Sequence, residues 1–288
     1  MFLVTILEAI QARRSVRRYA SREVEPEKLD RIRDSLGRIR PLVPGHDLDW
    51  LIERITGSSE RLGAVIGSYA AIVSAPYVIV PTTSAGPAAV LDFGFRVEQL
   101  VVTITALGLG SCWLGALPHE ERARTRFGID SARRLPAVIV FGYPAAGIAG
   151  RVANSVYRGV TGAPRRLDFG RFAFRHAWGR PAELTGIEAQ VLDALRRAPS
   201  AGNARPWRAI LRNGRLTLCA DAAAGFYRLY RVDYPSLDAG IGMAHVTLCL
   251  GELGIDTEWR LLDDTPELRA ELGLPATVRP FAEIELPA

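Results

Sequence analysis

Three short stretches of this chain gather groups able to do chemistry. From Ala9 to Tyr19 the sequence reads AIQARRSVRRY, which puts Arg13, Arg14 and Arg17 together with the Ser15 hydroxyl within five residues, just where an opening helix would end. A dianionic phosphate requires such a cluster, because several charge-assisted donors must replace its hydration shell. A solvated basic helix end that offsets the macrodipole would read the same way. From Ala198 to Trp207 the sequence is APSAGNARPW, in which Pro199, Ser200, Ala201, Gly202 and Asn203 form a tight polar loop. Its amides, hydroxyl and carboxamide suit a flat, polar ligand edge; a loop that merely stops a helix before a strand is the alternative. The third stretch, GLGSCWLG from Gly108 to Gly115, contains Gly110, Ser111, Cys112 and Trp113. Glycines there would let backbone approach a ligand, and free amides could donate to a redox-active ring nitrogen, although a structural turn needs the same residues. Cys112 has no His or other base near it in sequence, so it is not read as a nucleophile. No catalytic side chain and no metal-ligand set is nominated.

The elements that would hold these stretches are legible in outline. Thr5 and Glu8 are spaced as a capping box for a helix ending in the basic cluster. The uncharged run Leu100 to Leu117 spans 18 residues, the crude length of a membrane span. Its glycines at 108, 110 and 115 instead predict a buried helix that ends at Gly108 and is followed by a short strand. An amphipathic helix is expected from about Thr185 to Arg197, leading into the polar loop.

The chain also repeats itself. LDFGFRVEQLVVTITALGLGSCW, Leu91 to Trp113, aligns without a gap on LDAGIGMAHVTLCLGELGIDTEW, Leu237 to Trp259, at a constant offset (238 − 92 = 146 for Asp, 259 − 113 = 146 for Trp). Downstream, Phe127-Gly128-Ile129 parallels Leu272-Gly273-Leu274, and apolar strand-like runs follow at Ala137 to Phe141 and Phe281 to Leu286. Helix, short strand, helix, strand is the predicted order in both copies. The glycine- and arginine-rich stretch from Gly142 to Thr185 reads as a long crossover between lobes.

Bulk properties narrow the function classes. The formal charge of +5 and pI near 9.4 come almost wholly from arginine, since Lys28 is the only lysine. These arginines are scattered rather than clustered, which argues against nucleic acid and an anionic membrane as partners. Cys112, Cys219 and Cys249 lie in apolar stretches without metal-like spacing, and an odd count fits a reduced, cytoplasmic setting. The opening Met1 to Ile10 lacks a signal peptide's charge order and cleavage site.

Taken together, RRSxR at the end of the first helix, the PSxxN loop ending another, a DxG helix leading to GLGxxWLG, and the Phe141 to Pro144 FGYP strand end resemble the nitroreductase family of FMN enzymes. The resemblance covers nearly the whole chain and is strongest to a fused branch with two family-like halves in one polypeptide. It implies an α+β, nitroreductase-like fold, internally duplicated as a single-chain pseudo-dimer: a first lobe at 1–144, a crossover at 145–184 and a second lobe at 185–288. In the ordinary family two subunits share each flavin, so the monomer here would contain its own dimer-like interface.

By the same resemblance, Arg13 and Ser15 would bind the FMN phosphate, with Arg14 beside them, and Arg17 would lie near the pyrimidine edge. Gly110, Ser111, Cys112 and Trp113 would face the N5 region, while Pro199, Ser200, Ala201 and Asn203 would reach the ring and ribityl chain from the other lobe. Arg165 and Arg166 resemble a late basic pair that completes the phosphate site. Arg205 stands where the family often has Gln. The first lobe reads RPLVPGHDLDW in place of a PSxxN loop; the second lacks RRSxR and carries Asp256 and Glu258 in its turn, charges ill-suited to an electron-rich ring. One FMN site per chain, built in trans, is therefore expected. The implied activity is an FMN-dependent oxidoreductase taking hydride from NADH or NADPH to a small-molecule acceptor such as a nitroaromatic or quinone. A flavin-binding or sequestering protein without turnover, and a scaffold that binds no flavin, are the alternatives, separable by colour and by exposure of the flavin to NAD(P)H.

Overall fold

The computed structural model describes residues 4–55, 73–115, 120–146, 167–223, 227 and 232–287. The opening helix, α1 (Ile6–Ala12), has the expected capping box: Glu8 N–H donates to Thr5 Oγ1 at 3.2 Å and Thr5 N–H to Glu8 Oε2 at 2.8 Å. The first lobe continues with α2 (Pro26–Arg38), β1 (Leu48–Arg54), β2 (Tyr77–Thr83), α3 (Pro87–Ala106), β3 (Gly110–Gly115), α4 (Glu120–Phe127) and β4 (Ala137–Gly142). Its antiparallel sheet has the order β1-β2-β4-β3. The second lobe contains β5 (Ala173–Arg175), α5 (Gly186–Arg197), β6 (Trp207–Arg212), β7 (Arg215–Asp221), α6 (Tyr234–Glu252), β8 (Arg260–Leu261), α7 (Pro266–Leu272) and β9 (Val278–Glu285). Its sheet runs β5-β6-β7-β9-β8. Without β5, which pairs parallel to β6 from the crossover, the two sheets have one topology.

The duplication extends to turn chemistry. α4 and α7 both stop at a left-handed glycine, Gly128 at φ +64° and Gly273 at φ +66°. Each stop is closed by the same backbone bond, Ile129 N–H to Arg124 O and Leu274 N–H to Arg269 O, both 2.9 Å. Only glycine takes that conformation without a Cβ penalty, so the matched Phe-Gly-Ile and Leu-Gly-Leu triplets are equivalent helix stops. The last strand starts at Val278, three residues before the expected Phe281. Pro280, which has no N–H to give, sits where the β7 to β9 register slips, so the irregularity absorbs it.

The described part of that uncharged run, Leu100 to Gly115, forms as expected the end of α3, a turn at Gly108 (φ +77°) and β3. No helix among the described residues is long and apolar enough to cross a membrane. α3 and α6 are instead buried on nearly every face because they cross each other at the centre of the molecule. A Cβ on Gly94 would lie 2.3 Å from Leu237 O, and one on Gly240 would lie 2.0 Å from Leu91 O. Leu237 and Gly240 are the repeat partners of Leu91 and Gly94, so the contact is self-complementary about a pseudo-two-fold axis. Many arginines are committed to local carboxylates, among them Arg134 to Glu120, Arg175 to Glu188 and Arg279 to Asp233.

Gly94→Ala and Gly240→Ala are each expected to cost about 3 kcal/mol or more, since the obstructing atom is a backbone carbonyl that cannot swing away. Gly251→Ala, on the same helix with open space around it, should leave stability equal or slightly higher. Denaturant titration of the three variants checks this.

Candidate functional site

The basic cluster and the glycine-tryptophan stretch come together directly. After Arg13 ends α1, the chain turns extended and runs along the free edge of β3: Ser15 bridges Ser111 in parallel, and Val16 N–H donates to Ser111 O at 2.9 Å. The ribbon is then tied to the end of β4 by Ala20 N–H to Tyr143 O and Ala145 N–H to Arg18 O. Gly110 makes this possible, since a Cβ there would meet Val16 Cγ2 at 2.7 Å. Gly115 likewise faces the Tyr234 hydroxyl of α6. These two glycines thus serve close approach of chain to chain, not only of chain to ligand. β3 is a strand whose inner edge is used up by β4 and whose outer edge meets the ribbon at Ser111.

Burial divides the cluster. Arg13 is only 8% exposed, and its Nε has no hydrogen-bond partner; burial holds its pKa down, against the opposing pull of Glu98 and Cys112. Ser111 Oγ is buried and also unpartnered. Arg14 is exposed and turns back to the Gln11 and Arg13 carbonyls at 2.6 and 2.8 Å, closing the end of α1. Arg17 and Ser15 are partly buried. The Cys112 thiol is pushed up by burial, which outweighs Arg17, Arg13 and a hydrogen bond from Ser15, in keeping with a non-nucleophilic thiol.

The second-lobe loop is held from below. α5 ends at Ala198; Pro199 and Ser200 lead into a short 3-10 turn at Ala201–Asn203. Ser200 Oγ accepts Arg205 N–H at 2.8 Å, and Ala201 N–H donates to Asp238 Oδ1 at 2.9 Å. Asn203 (φ +57°) and Arg205 (φ +51°) both occupy the left-handed region, a strained arrangement that the Asp238 and Ser200 bonds hold in place. The Arg205 guanidinium returns to Asn203 O at 3.3 Å. Asp238 also accepts the Tyr227 hydroxyl at 2.9 Å; burial pushes its carboxyl up to about 7, despite the Ala201 and Tyr227 bonds that favour the ionised form. Its repeat partner Asp92 does the same for the first-lobe loop, accepting Leu42 N–H at 2.6 Å and Val43 N–H at 3.3 Å.

The two halves are linked through the core. α1 packs on α3, α5 and α6, so the helix that carries Arg13 touches the helix that ends at the polar loop. A chain of polar contacts follows the same route. Trp113 Nε1–H donates to Glu98 Oε2 at 2.7 Å, Glu98 Oε1 lies 2.9 Å from His245 Nε2, and His245 Nδ1 lies 3.0 Å from Ala194 O in the last turns of α5. Glu98 and His245 are fully buried, and sequence reasoning passed over both. The available signal was one acid or imidazole in a largely apolar stretch of each helix, Glu98 within Val97 to Ala106 and His245 within Ile241 to Leu250. Arg165 and Arg166 lie outside the described residues.

Two α+β lobes of one topology, crossed helix on helix, match a nitroreductase fold: a Thermotoga maritima crystal structure described as that of "a putative nitroreductase" superposes with a TM-score of 0.59 at 20% identity, covering 98% of this chain and 94% of that one. The sequence model of the family described as "Putative TM nitroreductase" matches residues 5–250, and the chain belongs to that family. A Methanothermobacter thermautotrophicus protein named "Putative NADH dehydrogenase/NAD(P)H nitroreductase" is 30% identical over 148 residues, 49% of this chain and 78% of the archaeal one. An Archaeoglobus fulgidus protein of the same name is 28% identical over 149 residues, 48% of this chain and 84% of its own length.

Asp238 carries a pH signature. A carboxyl whose pKa is raised on folding stabilises the native state fully below its unfolded value, near pH 4, and that contribution is lost as pH rises through about 7. Unfolding free energy should therefore fall across this window by on the order of a few kcal/mol. Asp238→Asn should flatten the fall, as read by denaturant titrations across the window.

Proposed function

We propose that this chain is an FMN-dependent oxidoreductase with one flavin site per chain, shared between the lobes. The observation that carries the reading is a pair of buried polar groups without partners, the Arg13 Nε and the Ser111 hydroxyl, on two segments that are joined edge to edge at Ser15 and Ser111. A buried N–H of a cation without an acceptor is costly, and an anionic ligand that accepts from it removes the cost. These groups fit a phosphorylated, polar-edged cofactor. The names of the two archaeal relatives supply the nicotinamide half of the proposal.

In this reading Arg13 and Ser15 hold the phosphate, and Arg165 and Arg166 complete that site. Arg17 lies at the pyrimidine edge, where a fixed cation stabilises charge that accumulates on reduction. The backbone of Gly110, Ser111, Cys112 and Trp113 faces the reactive side of the ring. Pro199, Ser200, Ala201 and Asn203 close the site from the second lobe, on a loop whose geometry Asp238 sets. FMN, when bound, supplies the redox chemistry, taking hydride from NADH or NADPH and passing electrons to an organic acceptor such as a nitroaromatic or quinone. The protein's part is orientation and electrostatics. The lobes are assigned to 1–144 and 185–288, with the 145–184 crossover lending β5 to the second sheet. Sequestration of FMN without turnover is the outcome that the kinetic arm of the test would reveal.

Purified protein loaded with FMN should be yellow and should lose its flavin absorbance when NADH or NADPH is added without oxygen. Flavin that stays oxidised under both would overturn the nicotinamide step. Arg13→Gln is expected to weaken FMN tenfold or more, the worth of a charge-assisted hydrogen bond of about 1.5–3 kcal/mol, while the chain stays folded. Titration of flavin fluorescence measures it.

A further inference from the structure

The Glu98–His245 pair joins positions 147 residues apart and contacts both halves of the candidate site, one through Trp113 and the other through Ala194. Its hydrogen bonding fixes its protons. The Ala194 carbonyl can only accept, so His245 Nδ1 carries a hydrogen. Glu98 Oε2 accepts the Trp113 indole N–H. The 2.9 Å approach of Glu98 Oε1 to His245 Nε2 then requires one hydrogen between them, on either atom. With that proton on His245, Glu98 is the carboxylate whose charge the buried Arg13 feels.

We propose that Glu98 and His245 are a cross-lobe positioning pair, in which one shared proton locks Trp113 of β3 to the end of α5 and so sets the Arg13–Ser15 ribbon against the Ser200–Asn203 loop. The pair does not touch the reacting atoms; it acts through the two segments it ties. Three features of its surroundings support this. Neither side chain reaches solvent, so the contact is not adjustable by water. Among the described residues, each hydrogen bond the pair makes beyond itself ends on a segment bearing candidate site residues or on the helix that leads into one. The repeat partner of Trp113, Trp259, donates to Thr247 at 2.9 Å, and the repeat partner of Glu98 is Ala244, so among the described residues this cross-lobe tie is found only on the side that carries RRSVR.

The site's identity rests on the flavin reading above, so the test has one arm that needs no flavin. In the ligand-free protein, hydrogen exchange of the 110–115 and 198–205 amides reports the tie. Glu98→Leu, which keeps the volume but no polar atom, should speed exchange in both segments tenfold or more. Glu98→Gln can accept from Trp113 and donate to His245 Nε2, so it should keep both segments protected. Trp113→Phe cuts one arm and should speed exchange only in 110–115; it also serves if Glu98→Leu fails to fold. In the flavin arm, Glu98→Leu should weaken FMN tenfold or more. Glu98→Gln should hold FMN affinity near that of the unmodified chain, a rescue by the substitution that keeps both hydrogen bonds. Unchanged exchange in Glu98→Leu, or loss of protection in Glu98→Gln equal to that in Glu98→Leu, overturns the proposal. Absence of FMN binding by the unmodified protein would overturn the flavin reading and leave the exchange result to decide the pair.

Discussion

The crossing of α3 and α6 at Gly94 and Gly240 is the contact on which the rest of this molecule depends. With no side chain between them, each helix lays backbone against the other, and the two lobes become one body with a shared core. That closeness is what lets Glu98 on one helix reach His245 on the other, and what lets α1 rest at once on α3, α5 and α6. Separate chains would have to meet in solution to build such an interface. Here the connection between the copies makes the encounter intramolecular, so the interface forms as part of folding.

On this symmetric frame the decoration is unequal. Asp92 and Asp238 clamp their own loops in the same way, and the helix stops at Gly128 and Gly273 are closed by the same bond. Yet only the first repeat is preceded by RRSVR, only the second has the Ser200–Asn203 loop, and Trp113 and Trp259 find different acceptors. Duplication supplied two equivalent frames, and divergence left complementary parts on opposite sides of the pseudo-two-fold axis. This asymmetry is the physical basis for reading one site per chain rather than two.

Much of this was legible from local pattern. The capping box at Thr5, the end of α3 near Gly108, the helix ending at Arg197 and the 146-residue repeat all rest on short-range rules of spacing and turn chemistry, and all are present in the fold. The parts that escaped are those decided at long range. Glycines 110 and 115 are explained by Val16 and Tyr234, which no local rule connects to them. Glu98 and His245 each look like one more polar residue on a largely apolar helix until the crossing brings them together. The parallel strand β5 comes from a stretch with no periodicity, because three residues are too few to show one. The loop clamps at Asp92 and Asp238 were visible as matched residues but not as acceptors, since their donors lie 50 and 37 residues away.

The claim at the centre of this account is that two unlike halves complete one flavin site. Calorimetric titration of the flavin-free chain with FMN tests it most directly, through the binding stoichiometry. The account predicts a single equivalent of FMN bound per chain, with binding lost when either the first-lobe ribbon or the second-lobe loop is altered. Two equivalents per chain, or binding that survives disruption of the Ser200–Asn203 loop, would contradict it.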